Sequence, residues 1–192
     1  MRSGRRTWLG LMLSGATLLV AGTARADASV PHQLQAQLVG KLASFDRNFQ
    51  TRAAGTARIL VVRKAGDAES ARVADNLARA LVALRQVGGM PTQVDVEAFP
   101  GAPGLAERCR AGKIAIVFFS TGLEGEMAAA GAALAGADIL TVGTTASDAS
   151  RGAVVAFDLE EGRAKIVVNL ARARAQNVSF KAELLKLSRI VG

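Results

Sequence analysis

The chain has 192 residues, and its formal charge of +8 comes from 24 basic and 16 acidic side chains. It contains one histidine, one cysteine, one tryptophan and no tyrosine. This composition excludes an intramolecular disulfide framework, and it argues against an aromatic stacking platform for sugars or single-stranded nucleic acid.

The first 26 residues have the pattern of an export signal. Three arginines form a basic start, the mostly apolar run 8–20 follows, and Ala24-Arg25-Ala26 is typical of a cleavage site. The run is too short to favour a permanent membrane span. Its paired arginines match a twin-arginine signal only loosely, so a general secretion signal is the interpretation we adopt. We expect cleavage after Ala26, which leaves residues 27–192 as one exported domain.

Removing the signal also changes the charge. The segment carries four arginines and no acid, so the mature chain has a formal charge of about +4. A small positive charge and export together argue against a nucleic-acid partner. The one cysteine, Cys109, is predicted to be a small buried residue on a helix. An intermolecular disulfide between two copies is the alternative.

The first helix is predicted to begin near Val30-Pro31, because proline is tolerated in a first turn. Five apolar residues recur at helical spacing and form a stripe of about four turns: Leu34, Leu38, Leu42, Phe45 and Phe49. We expect this stripe to be buried in the core. A dimer or partner groove is the alternative use for part of it.

Four short apolar or alternating runs predict strands of a sheet. They are residues 59–62, 94–98, 114–119 and 139–142. Helical segments of ten or more residues separate them, and the first of these helices is predicted to be capped by Asp67. Parallel strands need such crossovers. The pattern therefore predicts an α/β fold, a single three-layer domain with a mostly parallel sheet.

The end of the chain predicts a β-hairpin and a closing helix. The runs 152–159 and 163–168 are joined by the turn signal Glu160-Glu161-Gly162. Asn169 is expected to cap the turn into the next helix. Ser179 is predicted to be the N-cap of the last helix, whose buried face would hold Leu184, Leu187, Ser188 and Val191.

The same residues resemble the C-terminal signature of the YfiR-like family. The matching blocks are Gly152-Ala-Val-Val-Ala-Phe157, Ile166-Val-Val-Asn-Leu170, and the segment 179–191 with Leu184-Leu-Lys-Leu187 at its centre. The strand 138–143 and the end of the first helix at residues 45–49 are also similar to the family. Its members are exported proteins of Gram-negative bacteria. Its type member is a periplasmic repressor of a membrane-bound diguanylate cyclase.

The resemblance implies a regulator that acts by contact. It implies a homodimer that docks on the periplasmic sensor domain of an inner-membrane signalling protein, a diguanylate cyclase or a histidine kinase, and holds it inactive. A competing outer-membrane or envelope partner, or a ligand, would release it, provided that its affinity differs between the two signalling states. The type member is stapled by disulfides, which one cysteine cannot form within this chain.

The residues that carry chemistry form no catalytic pattern. The one histidine, His32, lies at the start of the mature chain, where the backbone often frays, so we expect no Ser–His or Cys–His pair. The sequence has no glycine motif for a nucleotide and no zinc-ligand spacing. Asp158 and Glu160 are only a weak metal signal. We predict a protein that is not an enzyme and has neither cofactor nor metal; an unrecognised hydrolase is the least favoured reading.

Three loops follow strands and are the predicted binding region, because ligands of open parallel sheets bind at the carboxyl ends of strands. The candidate residues there are Lys64, Ser120, Thr121, Thr144, Thr145 and Ser147. Asp46 and Arg47 are candidates for a partner contact. Helix capping and turn formation are the alternative roles of the hydroxyls. The alternative function is a periplasmic small-ligand-binding protein that serves a sensor or a transporter.

Overall fold

The computed structural model describes residues 29–192. The predicted signal peptide and its cleavage site lie outside these residues. In the described part of the chain no helix is long and apolar enough to cross a membrane. The helices are α1 (His32–Phe45), α2 (Phe49–Ala53), α3 (Ala68–Ala83), α4 (Ala102–Gly112), α5 (Met127–Ala133), α6 (Ala146–Arg151), α7 (Leu170–Ala175) and α8 (Ala182–Leu187). The strands are β1 (Ala57–Arg63), β2 (Gln86–Val87), β3 (Met90–Ala98), β4 (Ile116–Phe119), β5 (Leu140–Val142), β6 (Val155–Glu160), β7 (Arg163–Asn169) and β8 (Arg189–Val191).

One sheet contains all of these strands, in the order β2-β3-β1-β4-β5-β6-β7-β8. Within the series β3-β1-β4-β5-β6 each strand is parallel to the next, and β8 is parallel to β7. Only the β2–β3 and β6–β7 pairs are antiparallel in the described chain. The predicted α/β fold with a mostly parallel sheet and a C-terminal hairpin is confirmed.

The central strands are apolar on both faces because both faces are covered. Ile116 and Phe118 of β4 belong to the core cluster under α1 and α3, whereas Val117 and Phe119 belong to the cluster under α4 and α5. All four side chains are buried. This alternation follows from the two-residue period of a strand, and it explains why run 114–119 has no polar residue.

The first helix is shorter than its predicted stripe. It ends at Phe45, and a new helix begins at Phe49. Asp46 has an extended backbone and forms an isolated bridge with Phe180, which interrupts the helix. The buried face of α1 is also rotated from the predicted one: it holds Gln35, Ala36, Val39, Leu42 and Ala43, and three members of the stripe are only partly buried.

A hairpin that was not predicted precedes the second long strand. β3 begins at Met90 rather than at Val94, and β2 pairs with it antiparallel. Gly88 and Gly89, at φ 57° and 83°, form the two-residue turn. Two successive residues with positive φ give the strand twist that tight hairpins need. The glycine pair is the sequence signal for this turn.

The C-terminal hairpin is confirmed and the closing helix is corrected. Glu161 and Gly162 form the turn at φ 50° and 76°, and Asn169 caps α7 by accepting from Arg172 N at 2.8 Å. The last helix begins after Lys181 without a side-chain cap, so the prediction of Ser179 as N-cap is wrong. The chain then ends in β8 instead of continuing the helix, which leaves Leu187 70% exposed.

Candidate functional site

The first two predicted loops are joined by a buried serine that the sequence did not point to. Ser70 Oγ accepts from Lys64 N at 2.9 Å and donates to Thr121 O at 2.6 Å. Ser120 Oγ donates to Ser70 O at 2.7 Å. Ser120 is buried, while Thr121 is half-buried and Lys64 exposed. Asp67 caps α3 by accepting from Ser70 N at 2.9 Å, as predicted.

The third predicted loop is the start of a short helix. Thr145 and Asp148 form a capping box at the N-terminus of α6, in which Thr145 N donates to Asp148 Oδ2 at 2.9 Å. Ser147 Oγ accepts from Arg151 at 2.9 Å, and Thr144 is buried. Among the loop hydroxyls, that of Thr145 serves a helix cap and those of Ser120 and Ser147 are hydrogen-bonded within the chain, whereas Thr121 Oγ1 is buried without a partner. Binding at this edge stays a prediction.

At this end of the strands, the carboxyl group of Asp148 has a pKa shifted by its surroundings. Burial raises its pKa above the ordinary value, and the negative charge of Glu124 acts in the same direction. Hydrogen bonds from Thr145 oppose the shift without cancelling it. Arg151 Nη1 lies 3.9 Å from Asp148 Oδ1. The capping box of α6 is therefore built on a carboxylate that is poorly solvated.

Replacing Asp148 with asparagine is expected to change how stability depends on pH. A raised pKa in the folded state means that the native chain binds more protons than the unfolded one between the two pKa values. The contribution of Asp148 to the free energy of unfolding therefore falls as the pH rises through that interval. Relative to the native protein, Asp148→Asn should gain stability as the pH rises through the acid range, measured by urea unfolding from roughly pH 3 to pH 7.

Asp75→Asn is the matched control, because Asp75 is exposed on α3. Its stability curve should run parallel to that of the native protein. A parallel curve for Asp148→Asn as well would contradict the raised pKa.

Asp46, predicted as a partner contact, is engaged inside the protein. Its side chain is fully buried in an ion pair with Arg52. Asp46 Oδ1 also accepts from Ser179 N at 3.0 Å and from Asn48 N at 3.1 Å. Arg47, the neighbouring candidate, is exposed. Of the two, only Arg47 presents its side chain at the surface.

Arg52 links three distant parts of the chain. Besides Asp46, it donates to Asp138 Oδ1 at 2.8 Å and to Asn177 O at 3.0 Å. We call Asp46, Arg52, Asp138 and the backbone of 177–179 the clip, because it fastens the segment before α8 to the break between α1 and α2. Sequence reasoning missed Arg52 and Asp138, since 86 residues separate them.

A cavity of about 470 Å³ lies at the opposite edge of the sheet from the predicted loops. It opens beside the amino ends of β4 and β5, where Ile114 and Ile139 form part of its wall. Cys109 also lines it, and Arg110 and Lys113 stand at its rim. We call it the amino-edge cavity. Its walls come from three separated segments, and no local sequence pattern announced it.

Cys109 is buried, as predicted, at 4% exposure. Burial raises the pKa of its thiol to about 12, although the nearby Arg108 favours the thiolate. At neutral pH the thiol therefore stays protonated, and this wall of the amino-edge cavity carries no charge. The intermolecular disulfide considered as an alternative would need this side chain to turn outward.

β8 forms an open edge of the sheet. It pairs with β7 on one side and has no strand partner on the other within residues 29–192. Ile190 on this strand is 42% exposed and Leu187 before it is 70% exposed. Arg189 binds Asp158 and Glu160 at 2.7 Å each. These two carboxylates are thus paired with an arginine, and the described residues contain no group of three metal-ligating side chains.

The comparison with protein families gives one match. The family model described as YfiR/HmsC-like matches residues 32–189, which is nearly the whole described chain. No curated protein matches the chain.

Three solved structures share the fold. The ABC domain in complex with L-Trp from Streptococcus pneumoniae superposes with a TM-score of 0.60 at 10% identity, over 84% of this chain and 62% of its own. A conserved domain protein from Vibrio cholerae O1 biovar El Tor gives 0.57 at 15%, over 86% and 61%. The ligand-free, open structure of CD0873, a substrate binding protein with adhesive properties from Clostridium difficile, gives 0.57 at 13%, over 85% and 60%. The chain spans about three fifths of the length of these proteins, and at such identities the likeness concerns the fold alone.

Proposed function

Because the chain belongs to the YfiR/HmsC-like family, we propose that it docks on the periplasmic sensor domain of an inner-membrane signalling protein and represses it. The family is one of periplasmic regulators, and its members generally act with a membrane signalling partner. The observation that carries the proposal is the match over residues 32–189. A diguanylate cyclase or a histidine kinase is the partner class that we propose for this chain.

The open edge at β8 is the docking surface that we propose. An edge strand offers unpaired N–H and C=O groups to an extended segment of another protein. Leu187 and Ile190 add apolar area at the same place, and of the three exposed large apolar residues in the described chain only Val82 lies elsewhere. Edge pairing would supply affinity, and the two side chains would supply selectivity.

We also propose that the protein acts as a homodimer and that an outer-membrane or other envelope partner releases it from the signalling protein. Release requires that the competing partner bind the free regulator better than the docked one. Light scattering on the purified protein tests the first proposal, with a dimer as the expected result and a monomer at micromolar concentration as the contrary one.

A carrier for small solutes is less well supported. The likeness to a substrate binding protein holds at 13% identity and over 60% of that protein, which supports a common fold only. At the predicted loops, Ser120 and Thr145 are already hydrogen-bonded within the chain. These bonds reduce the polar groups that remain for a solute at that edge.

Site-specific photocrosslinking in the native host tests the docking proposal. A photoreactive residue placed at Leu187 or at Ile190 should capture an inner-membrane signalling protein. The same residue at Val82 is the matched control, because Val82 is also exposed, at 58%, but lies on α3. This helix packs against β1 and β3, which lie toward the opposite edge of the sheet from β8. If the captured protein is a diguanylate cyclase, deletion of the regulator should raise cyclic di-GMP in the cell.

Leu187→Ala/Ile190→Ala should then fail to restore the low cyclic di-GMP level in the deletion strain, whereas Val82→Ala should restore it. Equal capture from all three positions, or capture of a transporter subunit, would count against docking at the open edge. Capture of a second copy alone would assign this edge to the dimer instead.

A further inference from the structure

We propose that the amino-edge cavity binds a small organic carboxylate with an apolar body. Its volume of about 470 Å³ falls in the range of roughly 300–1,000 Å³ that is typical of small-ligand sites. The site is separate from the predicted loops, because it lies at the other end of the strands. The inference does not depend on the docking proposal, since it concerns a different surface.

The positive charges at the rim of the cavity favour an anionic ligand. Arg110 and Lys113 are exposed at its rim, and neither is in an ion pair within residues 29–192. Arg52 also lines the cavity, but each of its three nitrogens already donates a hydrogen bond within the clip. The one carboxylate in the wall, Asp138, accepts from Arg52. Two cations therefore remain free for a ligand, and a charged acceptor makes the stronger hydrogen bonds.

Part of the wall is apolar and can cover an apolar body behind that charge. They are formed by small side chains, among them Ala106, Ala133 and Ala137, by Cys109 and by Ile114 and Ile139. A bare inorganic anion would stay at the rim and leave this apolar surface in contact with water. A ring or short chain that carries a carboxylate would cover the surface and still place its charge between Arg110 and Lys113.

Benzoate and benzamidine are the matched probes, because they share the ring and differ in the sign of the charge. With the exported protein purified from the periplasmic fraction, benzoate should raise the melting temperature with concentration at constant ionic strength. Benzamidine and inorganic phosphate should not.

Arg110→Gln/Lys113→Gln should weaken benzoate binding about tenfold or more, with the fold checked by circular dichroism. Lys41→Gln/Lys186→Gln removes two exposed cations elsewhere and should leave binding unchanged. The proposal is overturned if benzoate and benzamidine act equally, or if phosphate alone stabilises the protein. It is equally overturned if the Arg110/Lys113 variant binds benzoate as the native protein does.

Discussion

Asp46→Ala is expected to lower the free energy of unfolding by about 3–5 kcal/mol, because it leaves the guanidinium of Arg52 buried without its main counter-ion. Both side chains of this pair are almost completely shielded from solvent. The variant also removes the acceptor of two backbone N–H groups, at Asn48 and Ser179, and an unsatisfied buried donor adds to the cost. Urea unfolding followed by circular dichroism measures the loss.

Glu69→Ala is the control for this variant. It breaks the Glu69–Arg72 pair, whose side chains are 61% and 62% exposed, and solvent screens such exposed pairs so that they contribute little to stability. The double variant Asp46→Leu/Arg52→Met should recover part of the stability lost in Asp46→Ala, because it removes both buried charges together. If Asp46→Ala were as mild as Glu69→Ala, the clip would not be holding the C-terminal segment.

The clip also shows where the sequence ceased to be informative. Asp46 and Arg47 stood out as a charged pair at the end of a helix, and their local context suggested a surface contact. Their roles separated only through tertiary contacts: Asp46 meets Ser179, 133 residues away, and Arg52 meets Asp138, 86 residues away. These long-range contacts cannot be read from periodicity or spacing. The sequence therefore suggested that Asp46 is exposed, although it forms a buried ion pair with Arg52.

Features fixed by neighbouring residues were predictable. The turn at Glu161-Gly162 was located because two residues with positive φ are needed there and glycine provides one of them. Asn169 was assigned as a cap because its side chain reaches the N–H three residues on. The run 114–119 was predicted as a strand because a strand buried on both faces must be apolar throughout.

The end of the chain was mispredicted because two patterns compete in it. Leu184 and Leu187 have helical spacing, yet Arg189-Ile190-Val191 also has strand propensity. Pairing with β7 decides in favour of the strand, and that choice depends on a neighbour outside the local window. The amino-edge cavity also depends on contacts outside the local window. Its alanines give no sequence signal of a site, and they form a wall only after α4 and α5 pack together.

Phe118→Ala is expected to cost about 3–5 kcal/mol, since it empties the volume of a large side chain at the middle of the sheet. Phe118 is fully buried on β4 between β1 and β5. Its ring lies 6.4 Å from that of Phe157, centroid to centroid. The neighbouring helices α1 and α3 cannot fill the space without moving the strands, and a loss of this size is a large part of the roughly 5–15 kcal/mol that stabilises a domain.

Phe119→Ala distinguishes a sheet covered on both faces from one covered on a single face. Phe119 points to the opposite side, into the cluster under α4 and α5, and is 2% exposed. The two variants should therefore be similarly destabilised, whereas Val82→Ala, at a 58% exposed position, should change stability by only about 0.5 kcal/mol. A small effect of Phe119→Ala beside a large effect of Phe118→Ala would mean that α4 and α5 do not pack on the sheet. The amino-edge cavity, whose walls come partly from those helices, would then have no fixed shape.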